Sequence, residues 1–441
     1  MTVQGIRDEV RIEEATSGSG EPTRVDGFEG GFRELLERVR PGAADRERDR
    51  VLLYDEVAEL RRLGFTRLRL PVAAGGAGLG LEEFFGRLID LAAADPSLAH
   101  LYRGHIAFVE GLLFDGVGSG RALDSHEEGW VARIAAGDLI GNAQSERQET
   151  ADITTVLERD GDAVFVTGRK YYTTGSIYAD WIHLSALDGE ERVGITVDAS
   201  HPGVRSIDDW DGFGQTLTGS GTTTFDRVPV DPDDIVEHGE DAARGHHLAA
   251  VFQLVLLAVA AGIAESALHD TVDFVRPRRR TFGSAGETKP SQDPLVQATI
   301  GGLSASAHAA RSLVLAEARA LDAVRARRLA GEAGEHDSRD ALLDVFRLQQ
   351  VVLPLVLGGL TELFEVGGAS AVGRGFALDR HWRNARTVAS HNPAVQRKRA
   401  LGQFELDGTL PEWRAPGKAA DAETEPVAKA TSEATSEEAS A

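Results

Sequence analysis

No cysteine occurs among the 441 residues, which excludes disulfides, thiolate metal sites and cysteine nucleophiles. Lysine is nearly as scarce: five of the 47 basic residues are Lys, a bias seen in GC-rich genomes and in acidic proteins of salty cytosols. Positive charge as a whole falls short, 47 basic against 70 acidic side chains, for a formal net charge of -23. A phosphate polymer would be repelled, so no nucleic-acid partner is expected. No uncharged apolar run approaches about 20 residues, and the amino-terminal MTVQGIRDEVRIEEATSGSGEP has no apolar core for a signal peptide. A soluble cytoplasmic protein without a membrane partner is the expectation. His246 and His247 adjoin at a helix start with no other ligand at matching spacing, so no metal is expected. There is no internal repeat.

What is present suffices for a sizeable core, since 42% of the residues are hydrophobic. After an extended or disordered segment over 1–25, residues 26–137 carry helical periodicity, with LLYDEVAELRRLGF and FFGRLIDLAAADPSLAHLYRGHIAFVEGLLF placing apolar positions three and four apart. From 138 to 236 the pattern shortens into strands, AVFVTGR, ADWIHLSAL, RVGITVD and TTTFDRVPV, separated by Gly, Asp and Pro turns. Over 237–413 long helices return, and HHLAAVFQLVLLAVAAGIAESALHDTVDFV is apolar nearly all round, as suits a buried bundle or a subunit interface. Residues 414–441 are Ala, Glu, Ser, Thr and Pro with few large apolar side chains, an acidic tail expected to stay disordered. The class is α+β: an α-helical domain, a small β-barrel or sandwich, and a C-terminal four-helix bundle. Gly75, Gly76, Gly78 and Gly80 lack the spacing and preceding strand of a phosphate loop and read as a helix connection.

Several motifs resemble those of the acyl-CoA dehydrogenase family, over about residues 50 to 410: LPVAAGGAGLGLEEF, the run from Ser145 to Asp152, GRKYYTTGSIYADW, Arg279 with Phe282 and Gly283, and LDRHWRNARTVASHNPAVQRK. The last of these departs from the family in one decisive place. Where a dehydrogenase carries Tyr-Glu-Gly-Thr, with the Glu removing the substrate α-proton, this chain has His391, Asn392, Pro393 and Ala394. A neutral carboxamide cannot be that base. The alternative base position falls near Phe252, and the Asp-x-x-Arg spacing falls on Ala250 and Gln253. The wording DRHWRNART…SHNP, with DDWDGFGQ, resembles instead the dibenzothiophene and dimethylsulfone desulfurisation monooxygenases.

That resemblance implies a two-component monooxygenase: reduced FMN from a separate NAD(P)H:flavin reductase reacts with O₂, and the resulting C4a-hydroperoxyflavin oxygenates a small molecule, a sulfur compound before others. FAD is the alternative cofactor, and Phe364, standing where the family's Gln contacts the ADP half, favours FMN. It implies a homotetramer. It also implies flavin contacts at Asn142, Ser145, Tyr172 and Thr174, phosphate contacts at Arg279 with Phe282 and at Ser370, and a substrate pocket with Trp210 and Asn392. His391, His100 and His105 are the candidate catalytic groups, His391 hydrogen-bonding or protonating the oxygen and His100 or His105 positioning the substrate. Other readings stay open. They are an FAD acyl-CoA dehydrogenase with an unrecognised base, an amine N-hydroxylase or aromatic hydroxylase on the same fold, and a flavin-free scaffold.

Overall fold

A computed structural model describes residues 25–147, 153–237, 241–280 and 288–411. The first helices are α1 (Val25–Asp49), α2 (Tyr54–Leu63), α3 (Leu81–Ala94), α4 (Pro96–His100), α5 (Arg103–Asp115) and α6 (Ser125–Ala136). The long apolar run from Phe84 to Phe114 is cut twice. Asp95 leaves helical geometry and its carboxylate accepts the Ser97 and Leu98 N–H groups, with Pro96 at the first helical position, so a new helix axis starts there. The one-turn α4 then hands over to α5 at Tyr102. These turns aim His100 and Arg103 toward the middle of the molecule. Asp124 with Glu127 forms a capping box on α6.

Eight strands follow: β1 (Ile140–Ala143), β2 (Val156–Asp160), β3 (Ala163–Tyr171), β4 (Trp181–Asp188), β5 (Glu191–Asp198), β6 (Val204–Ile207), β7 (Thr222–Val230) and β8 (Val236–Glu237). They make one curled sheet in the order β6-β7-β3-β2-β4-β5-β8, with β1 added in parallel to β4, Ile140 opposite Trp181. The ladder ends at β6 and β8 without their pairing, so among the described residues the sheet is not a closed barrel. Its inner face buries Val166, Ile182, Leu184, Ile195 and Phe225 as a core of its own.

The third block holds α7 (Ala242–Val275), α8 (Pro294–Leu329), α9 (Glu335–Glu362), α10 (Asp379–His391) and α11 (Ala394–Asp407). The three long helices pack on one another, and α10 packs on α7 and α9. Helix α3 from the first block also packs on α7 and α8. One continuous core therefore runs from Phe32 and Leu88 through Leu254 and Val259 to Val352, joining helical blocks that are separate in the sequence. The expectation that no run is long enough for a membrane is corrected here, because α7 and α9 are both long and apolar enough by length and composition. Of their most apolar windows, 83% and 56% lie inside the protein.

Candidate functional site

Five pieces of chain converge where the sheet meets the helices: the α4–α5 junction, the end of β1, the β3–β4 loop, the β6–β7 loop and the end of α10. They enclose a cavity of about 500 Å³ walled by the aromatic rings of Tyr172, Trp210 and Phe213, the hydroxyls of Ser145, Thr174 and Ser220, and the polar ends of His100, Gln215 and His391. Among the described residues no Asp, Glu, Lys or Arg lines it. Two larger cavities, each about 700 Å³, lie elsewhere. One is walled by charged groups such as Arg40, Asp270 and Arg380. The other runs from Gly104 and Phe252 to Gln144 and Arg192. Of these three, only the cavity at Tyr172 combines aromatic walls with His100 and His391, two of the three candidate catalytic histidines.

Backbone strain marks this cavity. Tyr172 and Gln215 adopt φ of 67° and 54°, left-handed values that non-glycine residues rarely hold without a compensating set of contacts. Those contacts are visible. Gln215 N–H donates to Asn384 Oδ1 at 2.5 Å, and its carbonyl accepts the Thr218 hydroxyl at 2.8 Å. Tyr172, 45% exposed, stands edge-on to Tyr171 at 4.8 Å and to Trp210 at 6.0 Å. The Trp210 indole N–H is held by the Gly214 carbonyl at 3.2 Å. Thr174, Ser220 and Thr218 form a buried hydroxyl chain with steps of 2.8 and 2.7 Å.

His100 is buried, and its Nδ1 lies 3.1 Å from Gln215 Oε1. With that oxygen accepting, the ring proton sits on Nδ1, and Nε2 is a buried acceptor with no partner. The Gln215 amide nitrogen beside it is a buried donor equally unpartnered. Burial, with the Arg103 charge nearby, pushes His100 down to about 4. Its ring is 5.7 Å from that of His391. His391 keeps much of its surface open to solvent, yet the protein around it and the Arg103 guanidinium push its basicity well down. The exposure tempers the first of these causes and leaves the second. Arg103 Nη1 points at His391 Nε2 from 3.4 Å, so the proton of the neutral ring belongs on Nδ1, which faces Asn392 Oδ1 at 3.4 Å. Both rings are neutral imidazoles at neutral pH.

Not every expected residue arrives. His105 is corrected to a structural histidine: its Nε2 donates to the Thr66 carbonyl at 2.7 Å and its Nδ1 accepts the Ile140 N–H at 3.3 Å, leaving nothing for chemistry. Asn142 adjoins the cavity through its backbone, its N–H donating to the Thr174 carbonyl at 3.3 Å, while its side chain packs against Gly104. Asn392 sits behind His391, its amide donating to Gln253 Oε1 at 2.9 Å. Arg279 and Ser370 are exposed and outside the cavity, and Phe282 lies outside the described residues. Residues not singled out from the sequence are Gln215, Phe213, Ser220, Thr387, Ser390 and Arg103. Gln215 and Phe213 lay inside the DDWDGFGQ run, which was a usable signal.

The residues fit a flavin ring. An isoalloxazine is flat, with aromatic faces and an edge that alternates donors and acceptors, and the cavity offers aromatic walls, an unpartnered acceptor, an unpartnered donor and hydroxyls. Its volume is in the range of small-molecule sites. Among the described residues no cation lines the cavity to meet a phosphate, so the fit is to the ring and not to the charged tail.

Comparison with known proteins agrees in kind. A family model described as acyl-CoA dehydrogenase, C-terminal domain, matches residues 254–396. Dibenzothiophene monooxygenase of Rhodococcus qingshengii is 27% identical over 429 residues, covering 93% of this chain and 99% of that protein. The probable FMNH2-dependent monooxygenase SfnC of Pseudomonas putida is 28% identical over 395 residues, covering 86% and 94%. Among solved structures, FMN-bound TdsC from Paenibacillus sp. A11-2 superposes with a TM-score of 0.78 at 26% identity, covering 88% of this chain and 98% of that one.

Proposed function

We propose that this chain, which belongs to the acyl-CoA dehydrogenase-fold monooxygenases, oxygenates a small sulfur compound with FMNH2 and O₂, the reduced flavin coming from a separate NAD(P)H-dependent reductase. The observation that carries this is the cavity at His391: aromatic, furnished with unpartnered neutral hydrogen-bonding groups, and lined by no carboxylate among the described residues. Proton abstraction next to a thioester needs a base of carboxylate type, and none of the described residues supplies one there.

Bound reduced FMN supplies two electrons and two protons, so that one atom of O₂ enters the substrate and the other leaves as water. Ser145, Tyr172, Thr174, Trp210 and Gln215 hold the ring, and Arg279 takes the phosphate outside the cavity. His100 and His391, being neutral, act as hydrogen-bonding groups. His391 would present its ring to an oxygen atom bound in the cavity, and His100 Nε2 would accept from a protonated one. For assembly, apolar surface remains on α9 outside the core, with Val351 53% exposed, and this supports packing against further copies in a tetramer. The expected place of action is the cytoplasm.

The test supplies the protein with FMN, NADH and an independent flavin reductase, adds methyl phenyl sulfide under ¹⁸O₂, and reads the product by mass spectrometry. One labelled oxygen per sulfoxide is expected. Unlabelled product, or no product together with FAD bleaching by an acyl-CoA, would overturn the reading.

A further inference from the structure

Between the cavity at His391 and the 700 Å³ cavity at Phe252 no lining residue is shared. Arg103 lines neither of them and contacts one wall residue of each. Its guanidinium stacks on the Phe252 ring at 4.4 Å, Nε donates to the Phe252 carbonyl at 3.0 Å, and Nη1 reaches His391 Nε2 at 3.4 Å. The residue is 7% exposed, and no Asp or Glu among the described residues is within ion-pair distance of it. The contrast within the same core is sharp. Arg69, as deeply buried, has Glu110 at 2.6 Å, and Arg380 has Asp270 at 2.7 Å. Buried cations are ordinarily paired, because an isolated charge away from water is costly. Burial pushes Arg103 down to about 9, which still leaves it charged at neutral pH. The groups that face it, His100 and His391, are neutral and cannot compensate it.

We propose that Arg103 is the specificity-determining residue for an anionic substrate, pairing with a carboxylate or sulfur oxyanion and so presenting the rest of the molecule at His391. The proposal rests on the monooxygenase reading for what happens next, and on Arg103 alone for which molecules enter. The neighbouring Gly104 lines the larger cavity, and Asn142 packs against it from the other side. A planar guanidinium with N–H groups still unclaimed matches a two-oxygen anion in fork geometry. The same Nη1 contact keeps the proton of His391 on Nδ1. An anion that drew Arg103 away would therefore also release His391 Nε2.

The experiment is calorimetric titration of the FMN-loaded protein with benzenesulfinate and with neutral methyl phenyl sulfoxide, a matched pair in size. Wild type is expected to prefer the anion by about tenfold or more. Arg103→Met should abolish that preference while leaving the Kd of the neutral ligand within about twofold, and Arg103→Lys should retain part of it. If Arg103→Met does not fold, Arg103→Gln takes its place. An unchanged preference in the variant, an equal loss for both ligands, or displacement of the sulfinate by inorganic phosphate would overturn the proposal. Because binding is read without turnover, a protein that oxygenates sulfides yet shows no Arg103-dependent preference sinks this inference and spares the monooxygenase reading. One that binds anions through Arg103 but never incorporates labelled oxygen does the reverse.

Discussion

Two buried polar regions lie within the same fold and behave as opposites. Around Glu110, every strong group has its complement: Arg69 Nε at 2.6 Å from one oxygen and His247 Nε2 at 3.4 Å from the other. Around His391 the groups are left over: His100 Nε2, the Gln215 amide and the charge of Arg103. A satisfied network spends its hydrogen-bonding capacity on the fold, whereas an unsatisfied one keeps it for something that arrives. His105 and His100, five residues apart, divide along the same line. One has both nitrogens engaged by backbone and the other has one free.

The comparison can be broken most forcefully at Glu110. Arg69, with His247, holds this carboxyl at about 2 although burial opposes it. Glu110→Gln leaves Arg69 only the more distant, partly exposed Asp322 at 3.6 Å, and up to roughly 3–5 kcal/mol of unfolding free energy should disappear in urea titrations. Because the folded pKa is depressed, the stabilisation is present above about pH 4.3 and is lost as pH falls from there toward 2. FMN affinity should stay unchanged.

His391→Ala and His100→Ala should act the other way, lowering labelled-product formation by roughly 10²-fold while the denaturation midpoint moves little. If either variant unfolds the protein and keeps full activity per folded molecule, the division drawn here fails. His105→Ala leaves the Thr66 carbonyl and the Ile140 N–H unpaired, so a loss of about 1–3 kcal/mol in stability is expected with kcat near wild type.

The smallest effect is a flat line. His100 at about 4 and His391, pushed below its usual value, take up protons on the acid side, so kcat/KM should show no inflection at the ordinary histidine value of about 6.5 and should fall only below it. A bell with an acid limb near about 6.5 that vanishes in His391→Ala would return the imidazolium to the mechanism.

Much of this was legible in the chain and some was not, for physical reasons. Period-two alternation placed β7 at TTTFDRVPV, and motif spacing brought Ser145, Tyr172, Thr174, Trp210, His100 and His391 to one cavity. Local pattern cannot report whether a histidine's nitrogens are already taken, so His105 and His100 looked equal. Nor can it separate Arg103 from an ordinary helix-face charge, since what sets it apart is a carboxylate that is missing in space. The left-handed backbone at Gln215 carries no glycine to announce it. The shared core of α3, α7 and α8 joins segments more than 150 residues apart, beyond any periodicity window.

That shared core has a consequence for how the molecule comes into being. The helices synthesised first bury Leu88 and Phe85 against Leu254 and its neighbours on α7, which leave the ribosome only after the whole sheet has been made. The early helices therefore wait, apolar faces uncovered, until α7 has been made. Folding is postponed rather than sequential, and a chain interrupted after the sheet would present those faces to any chaperone or neighbouring nascent chain that met it first.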